Sequence, residues 1–318
     1  MNNTPLRAFA RYASLSTLGM IATSCYILAD TFFVAQGLGT NGLAALNLAI
    51  PVYNVIHGTG LLLGMGGATK FAILKSQGAH RRANTVYTHT LVIAAAAAVA
   101  FMAAGLFGAP ALAALLGAKG EIAGMTATYL RVLLLFSPAF LLNDLFVCFV
   151  RNDGAPSLSM AATVVGSLAN VVMDYIFIFP CGLGIFGAVL ATGFSPVIGI
   201  CIQAPHWAAR RCGFRPARSR PNPRLAGQLL GLGVPALLEQ LSGAVVMITF
   251  NALILRLAGN TGVAAYGVVA NLSLVVLSVY TGIAQGSQPL VSRAWGQGRA
   301  AEGRRVLRYA LTCALVFA

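Results

Sequence analysis

The sequence has very few charged residues. Asp, Glu, Lys and Arg make up 9% of the 318 residues, and only seven residues are acidic, whereas soluble globular chains average about 25% charged residues. So few charges do not cover a surface in water, which excludes a soluble globular enzyme or binding domain. Hydrophobic residues make up 58% of the chain, and the mean hydropathy is +0.80. The composition therefore predicts a protein that crosses a membrane several times.

Closely spaced cysteines and familiar catalytic motifs are also absent from the sequence. No C-x-x-C or H-E-x-x-H pattern occurs, and Asn143-Asp144 lacks the second aspartate of a metal-diphosphate site. These absences argue against a disulfide framework, a zinc site and a membrane-embedded enzyme, so we expect no enzymatic activity and no cofactor. Most of the six cysteines lie in apolar runs, as small core residues do. They are Cys25, Cys148, Cys181, Cys201, Cys212 and Cys313.

Eight apolar runs are long enough for a membrane-spanning helix of about 20 residues. A ninth run begins near residue 303 and is still apolar at Ala318. We therefore expect about nine helices, and the open ninth run suggests that the second half of the fold is incomplete in this chain. The eight runs cover residues 13–36, 43–69, 84–107, 122–149, 157–179, 185–209, 226–256 and 262–290.

The basic residues predict which connections share one side of the membrane. All but three of the 21 Lys and Arg residues fall in every second connection between the apolar runs. Such an excess is typical of cytoplasmic loops, so we expect a multi-pass protein of the cytoplasmic membrane with a cytoplasmic N-terminus. The net charge of +14 forms no single stripe, so we expect no nucleic-acid partner. The basic clusters lie in the N-terminal tail, at 70–82, at Arg151, at 210–224 and at 293–308.

A basic, proline-rich segment at 208–224 divides the chain. We interpret this segment as a solvated cytoplasmic loop that touches anionic lipid. The sequence thus predicts a six-helix lobe over residues 1–209, a linker over 210–224 and an incomplete lobe of about three helices over 225–318.

An internal repeat lies across this segment. GTNGLAALNL at 39–48 aligns with GNTGVAAYGV at 259–268, and Gly66 matches Gly286 at the same offset of 220 residues (286 − 66). Six helices, an even number, precede the linker, so both copies enter the membrane from the same side. We therefore predict parallel repeats that are related by an axis along the membrane normal.

Four polar residues in the first half of the chain form a candidate cation site. Asn170 and Asp174 are four residues apart in one apolar run, so on a helix they share a face. Asp30 lies about 26 Å along the first run and Asp174 about 27 Å along the fifth, and Thr192 reaches a similar depth from the opposite side. Carboxylate, amide and hydroxyl oxygens bind hard cations, and two close carboxylates can share a proton. Hydrogen bonds that only join helices are the alternative.

We expect Asp30 and Asp174 to act as one titrating unit that binds a proton or Na⁺ near neutral pH. Asn170 and Thr192 supply neutral oxygens to it. The four residues are metal ligands only if Na⁺ is the coupling ion. The sequence does not distinguish H⁺ from Na⁺ coupling, because the same oxygens bind either ion. Glu239 in the seventh run is a candidate for proton coupling or for contact with a cationic substrate. Interhelical hydrogen bonding is the alternative for Glu239.

Three weaker signals concern single polar or small residues in the apolar runs. We expect Asp144 to form an ion pair with Arg151 or to lie at the membrane interface. His57 has no ligand partner nearby in sequence, so we interpret it as a core or interface residue. Gly60 and Gly64 form a G-x-x-x-G pattern, which predicts a face for close helix packing.

Three long segments of the chain resemble the MATE family, the multidrug and toxic compound extrusion transporters. They are ADTFFVAQGLGTNGLAAL at 29–46, RNDGAPSLSMAATVVGSLANVVMDYIFIF at 151–179, and GNTGVAAYGVVANLS with GIAQGSQPLVSRAWGQG within 259–298. The resemblance implies an all-α polytopic fold in which two parallel six-helix repeats form the two lobes of a V. It also implies an antiporter that exports organic cations and amphipathic drugs in exchange for H⁺ or Na⁺. The expected partners are these small molecules and membrane lipids, with no obligate protein partner.

The resemblance also transfers the cation site of the family onto this sequence. The aspartate of the first helix falls on Asp30, the asparagine and aspartate of the fifth helix on Asn170 and Asp174, and the threonine of the sixth helix on Thr192. Leu15 stands in the region where many members have a proline. Two alternatives stay open, which are a flippase of lipid-linked substrates in the same superfamily and a non-functional truncated product.

Overall fold

The computed structural model describes residues 5–208, 212–220 and 222–317, with only part of the side chains between 244 and 271. The predicted linker is therefore described only in part. The described residues form α-helices and contain no β-strand, which confirms the expected all-α class. In chain order the helices are α1 (Pro5–Ser76), α2 (His80–Leu115), α3 (Gly120–Leu135), α4 (Ser137–Asn152), α5 (Pro156–Ile178), α6 (Gly184–Ala208), α7 (Pro223–Gly296) and α8 (Ala300–Phe317).

Two of the helices are too long to be single spans. α1 has 72 residues and α7 has 74. An uninterrupted helix of either length would be about 110 Å long, against a hydrocarbon layer of about 30 Å. α1 is broken at Gly39, whose φ of 65° and ψ of −157° are open essentially to glycine alone. α7 doubles back, because Thr281 donates a hydrogen bond to Glu239, 42 residues earlier in the same helix. Each long helix therefore supplies two spans, as the apolar runs predict.

The span predicted at 122–149 is bent. α3 and α4 meet at Phe136 with an angle of 49° between them. Pro138, in the first turn of α4, has no N–H to bond a preceding carbonyl, so a regular helix does not continue through this point. With this pair counted as one span, the described part of the chain has five elements that are long and apolar enough to cross a membrane. α1 counts as one of these five elements, although it supplies two spans.

Contacts among the connections show which of them lie at the same end of the helices. Asp153 forms an ion pair with Lys75 and a hydrogen bond with His206, which joins three connections that are rich in basic residues. At the opposite end, Asn41 donates a hydrogen bond of 3.0 Å to Glu121. The charge pattern thus sorted these connections correctly between the two ends. We call the first of these the basic end, and it comprises the connections at 76–80, 152–156, 208–223 and 296–300.

α1 and α7 pack against each other through matching positions of the two repeats. A Cβ atom at Gly66 would collide with the backbone of Leu229, and a Cβ atom at Gly286 would collide with the backbone of Tyr12. Gly66 and Gly286 are the glycines that correspond in the sequence repeat. Each repeat therefore packs this glycine against the start of the other repeat's long helix, which is the reciprocity expected of two parallel repeats.

The first described residues of the linker are packed against the helices. Phe214 is fully buried and makes ring contacts with Phe71, Tyr87 and Phe149. The expectation of a solvated loop is therefore wrong at this point, because burial of a phenylalanine ring among three others outweighs the polarity of the neighbouring arginines. Residues 218–220 are exposed, as expected.

Candidate functional site

The structure brings the four predicted cation-site residues together inside the first six-helix unit. Asp30 comes from the first half of α1, Asn170 and Asp174 from one face of α5, and Thr192 from α6. All four are buried, with Asn170 and Asp174 at 0% exposure. In the amide orientation that satisfies its neighbours, the Asn170 nitrogen is 3.1 Å from Asp174 Oδ2, and its oxygen is 3.2 Å from the backbone nitrogen of Thr192. The one-turn spacing in α5 therefore does place both polar groups on one face.

The two carboxylates of this site are incompletely paired. Asp30 and Asp174 are close enough to interact electrostatically, and Oδ1 of each is buried without a hydrogen-bond partner. Among the described residues, neither acid forms an ion pair with Lys, Arg or His. A buried carboxylate oxygen that lacks both a counter-charge and a hydrogen bond is costly. The two open oxygens are therefore suited to a shared proton or to a small hard cation such as Na⁺.

Tyr129 of α3 belongs to the same site and was missed in the sequence. It is 4% exposed, and its hydroxyl lies near Thr192, Asp30 and Asp174. A phenol can donate to a carboxylate or accept from a proton carrier, so Tyr129 adds a neutral polar group to the site. Its only signal in the sequence is an aromatic residue within an apolar run, and such residues are too common in membrane helices to stand out.

Glu239 lies apart from these residues, in α7. Its carboxylate accepts a hydrogen bond from Thr281 in the returning part of α7, which is the interhelical bond considered as its alternative role. It is also exposed and close enough to His57 of α1 to interact with it electrostatically. Glu239 therefore keeps the potential for contact with a cation while holding a structural bond.

A cavity, called the central cavity below, is lined by residues of α1, α4, α5, α6 and α7. Thr192 of the cation site faces it at one side, and Gln285 of α7 faces it at another. Its walls thus connect the predicted cation site with the surface of α7. The side chains that give the cavity its chemical character are Tyr26, Tyr53, His57, Phe140, Asn143 and Asp144.

Asp144 pairs with His57 and not with Arg151. Asp144 Oδ2 is 2.9 Å from His57 Nδ1. Arg151, two turns further along α4, is buried and donates a hydrogen bond of 2.9 Å to Gln285. Seven residues of helix separate Asp144 from Arg151 by about 10 Å, whereas the missing Cβ of Gly60 brings α1 close to Asp144. His57 thus has a polar partner in the structure, although none lies near it in the sequence.

Comparison with known proteins gives consistent results for sequence and fold. The MatE family model matches residues 16–176 and 235–318. The multidrug export protein MepA of Staphylococcus saprophyticus is 25% identical over 303 residues, which are 95% of this chain and 67% of that protein. A crystal structure of MATE in complex with MaL6 superposes with a TM-score of 0.92 at 27% identity, covering 99% of this chain and 70% of that chain. An outward-facing conformation of a multidrug resistance MATE family transporter of the MOP superfamily gives 0.91 at 26% identity, with the same coverage.

The chain spans between 64% and 67% of the length of the curated relatives MepA of Staphylococcus aureus and S. saprophyticus. The family model nevertheless covers most of this chain and extends over both predicted repeats. The structural likeness covers nearly all of it. This multi-pass membrane chain therefore belongs to the MATE family.

Proposed function

We propose that the protein is a cation-coupled antiporter that exports organic cations and amphipathic drugs across the cytoplasmic membrane in exchange for H⁺ or Na⁺. The proposal rests mainly on Asp30 and Asp174, two buried acids that each keep an unpartnered oxygen. The name of the curated relatives, multidrug export protein, supports the substrate class.

The coupling step follows from the charge of the site. Binding of a proton or Na⁺ to Asp30 and Asp174 removes negative charge from the buried site, with Asn170, Thr192 and Tyr129 as neutral neighbours. The protein then favours a conformation that is more stable with the neutralised site than with the charged site. This conformation releases the substrate. Loss of the cation on the other side restores the charged, substrate-binding form.

The charge of the cavity supports an antiporter of cations more than a flippase. An anionic lipid-linked substrate would need basic groups in the cavity. The described wall residues include Asp144 and His57 but neither Lys nor Arg, and Glu239 lies close to His57. Acidic and aromatic groups together are suited to organic cations.

The basic end is proposed to face the cytoplasm, which places the N-terminus there as well. The excess of Lys and Arg at this end supports the orientation. Arginines of the linker and of α8 would then lie next to anionic lipid head groups of the inner leaflet. Lipids and the transported small molecules are the partners that this arrangement requires.

Transport in membrane vesicles tests the proposal. We expect either a pH gradient or a Na⁺ gradient to drive ethidium transport by the wild-type protein, and Asp174→Asn to abolish it at an unchanged protein level. Glu302→Gln, which changes a partly exposed acid at the start of α8, should leave transport unchanged and serves as the matched control. Wild-type rates in Asp174→Asn vesicles under both gradients would contradict the proposal.

A further inference from the structure

A second titratable pair lies in the central cavity, separate from the buried cation site. His57 of α1 and Asp144 of α4 are 2.9 Å apart, and both side chains face the cavity. The His57 side chain is 21% exposed and that of Asp144 is 9% exposed. The histidine is therefore open to the cavity, while the carboxylate lies behind it.

The backbone of α1 holds this pair in place. A Cβ atom at Gly60 would collide with the carboxylate of Asp144, and a Cβ atom at Gly64 would meet the sulfur of Cys148 one turn along α4. Only glycine at these two positions lets the helices approach so closely. The Asp144 carboxylate thus occupies the space that Gly60 leaves free, and it has little room to move away from His57.

The contact between His57 and Asp144 leaves hydrogen-bonding capacity unused. Asp144 Oδ2 is fully buried and has no in-line hydrogen bond, although the His57 nitrogen is 2.9 Å away. A buried carboxylate oxygen with an ion pair but no directed hydrogen bond is only partly satisfied. An ammonium, guanidinium or other positively charged group that enters the cavity therefore finds a negative partner that is not fully committed.

The titratable groups around His57 come from three helices. Asp144 faces it from α4, Glu239 approaches it from α7, and Tyr53 stacks on its ring at 5.9 Å within α1. Arg151 is two turns away on α4 and is engaged with Gln285. In the described structure, α5 and α6 give the cavity wall only neutral residues. With His57 protonated, His57, Asp144 and Glu239 together carry one positive and two negative charges.

We propose that the His57–Asp144 pair exchanges a proton for the organic cation inside the central cavity. This inference rests on the proposed export of organic cations and adds a site that is distinct from Asp30 and Asp174. The incoming cation takes the position of the imidazolium charge beside Asp144. The N–H bond of the protonated His57 ring breaks, its electron pair stays on the nitrogen, and the proton passes to water in the cavity. One positive charge enters and one leaves, so the cavity keeps its net charge.

The aromatic residues of the cavity complete the site. Tyr53 stacks on His57, and Phe140 meets Tyr53 edge to face at 5.8 Å between ring centroids. The faces of such rings attract cations, best where water is excluded. An organic cation can therefore replace the proton of His57 without losing all contact with electron-rich groups.

Calorimetry on the purified protein tests the exchange with tetraphenylphosphonium as the cationic probe. Titrations at about pH 6, just below the ordinary pKa of histidine, are run in buffers that differ in ionisation enthalpy, which gives the number of protons released per bound cation. We expect the wild type to release close to one proton. Its affinity should weaken by nearly tenfold for each pH unit below about 6, because proton and cation compete for one place.

Two variants and one control separate the pair from other titrating groups. His57→Gln should still bind tetraphenylphosphonium but release almost no proton, and Asp144→Asn should bind at least tenfold more weakly. His80→Gln, which changes an exposed histidine at the start of α2, should behave as the wild type.

Several outcomes would overturn this inference. They are unchanged proton release in His57→Gln, no release by the wild type, and wild-type affinity that does not depend on pH between about 5 and 7. Unchanged release in His57→Gln together with loss of coupled transport in Asp174→Asn would remove the exchange site and leave the proposed antiporter standing. Absence of any tetraphenylphosphonium binding by the wild type would contradict both.

Discussion

At the scale of single residues, Asp30 and Asp174 are two halves of one electrostatic unit, because each carboxylate lacks a partner for one oxygen and lies in the field of the other. A cation that binds only the folded protein should therefore stabilise it. We expect Na⁺ or mild acid to raise the melting temperature of the wild type, and Asp30→Asn or Asp174→Asn to remove most of this protection. The double variant should lose little more, since groups that act as a unit are not additive. A shared site would be contradicted if each single variant lost half of the increase in melting temperature and the double variant lost all of it.

The sequence alone was sufficient to predict the positions of those site residues that follow from helix period and depth. Asn170 and Asp174 share a face because of their spacing, and Asp30 reaches their level because of its distance from the end of its run. Depth gives no information on the rotation of a helix about its axis. Tyr129 and the His57–Asp144 pair depend on that rotation and on close helix contacts, so they emerged only from the structure.

At the scale of helices, the contact of α1 with α4 depends on Gly60 and Gly64, as the G-x-x-x-G pattern predicts. Gly60→Ala adds a methyl group against the Asp144 carboxylate. We expect this overpacking to destabilise the protein by about 1–3 kcal/mol and to weaken tetraphenylphosphonium binding, measured by thermal unfolding and calorimetry. Gly124→Ala is the matched control, because a Cβ atom at that position in α3 meets nothing within 4 Å. Equal stability of the two variants would show that α1 and α4 have room to separate.

The linker gives a second prediction for a structural element, at Phe214 and Cys212. Burial raises the pKa of the Cys212 thiol, so the reactive thiolate is scarce at neutral pH. In a variant whose only cysteine is Cys212, we expect slow alkylation by a maleimide that keeps accelerating above about pH 8.5, the ordinary thiol pKa. Phe214→Ala should release the segment from its aromatic neighbours and accelerate alkylation at least tenfold. Arg218→Ala, an exposed position in the same segment, is the control, and an unchanged rate in Phe214→Ala would mean that the ring does not hold the linker.

Helix positions were predictable because long apolar runs leave few alternatives in a membrane, but two local features were not. The bend at Phe136 interrupts a run that is apolar on both sides, so composition alone does not reveal the break that Pro138 causes. Phe214 lies among arginines and prolines, which favour a solvated loop until the three facing rings are known. Both features depend on single residues. Averaging the hydropathy over a window of residues hides the effect of a single residue.

At the scale of the whole molecule, the lobes are joined at the basic end by hydrogen bonds from α4 to α7. Arg151 donates to Gln285 at 2.9 Å, and Asn152 donates to Gln288 at the same distance. Arg293 returns a bond of 2.8 Å to the carbonyl of Asn152. Within this described network, Arg151 Nε and Asn152 Oδ1 are buried without partners. This contact, which closes the basic end, therefore leaves two buried polar atoms without hydrogen bonds. That favours a contact that can open during transport.

Gln288 is the point at which this closure can be weakened without removing a charge. It accepts from Asn152 and donates to Thr69 of α1, so one side chain joins α7 to two helices of the first lobe. Gln288→Ala should shift the protein towards a state that is open at the basic end. Cys148 reports on this opening, since it is fully buried below the network and contacts Arg151.

We expect a variant with Cys148 as its only cysteine to be alkylated slowly by a membrane-impermeant maleimide applied from the cytoplasmic side, and Gln288→Ala to increase the rate several-fold. Gln297→Ala changes an exposed glutamine one residue beyond α7 and should not alter the rate. Faster labelling from the outer side would reverse the proposed orientation, because the network would then close the external face. Equal labelling rates in both glutamine variants would show that the hydrogen bonds of Gln288 do not hold the lobes together. Closure of the basic end would then depend on the packing of α1 against α7 at Gly66 and Gly286.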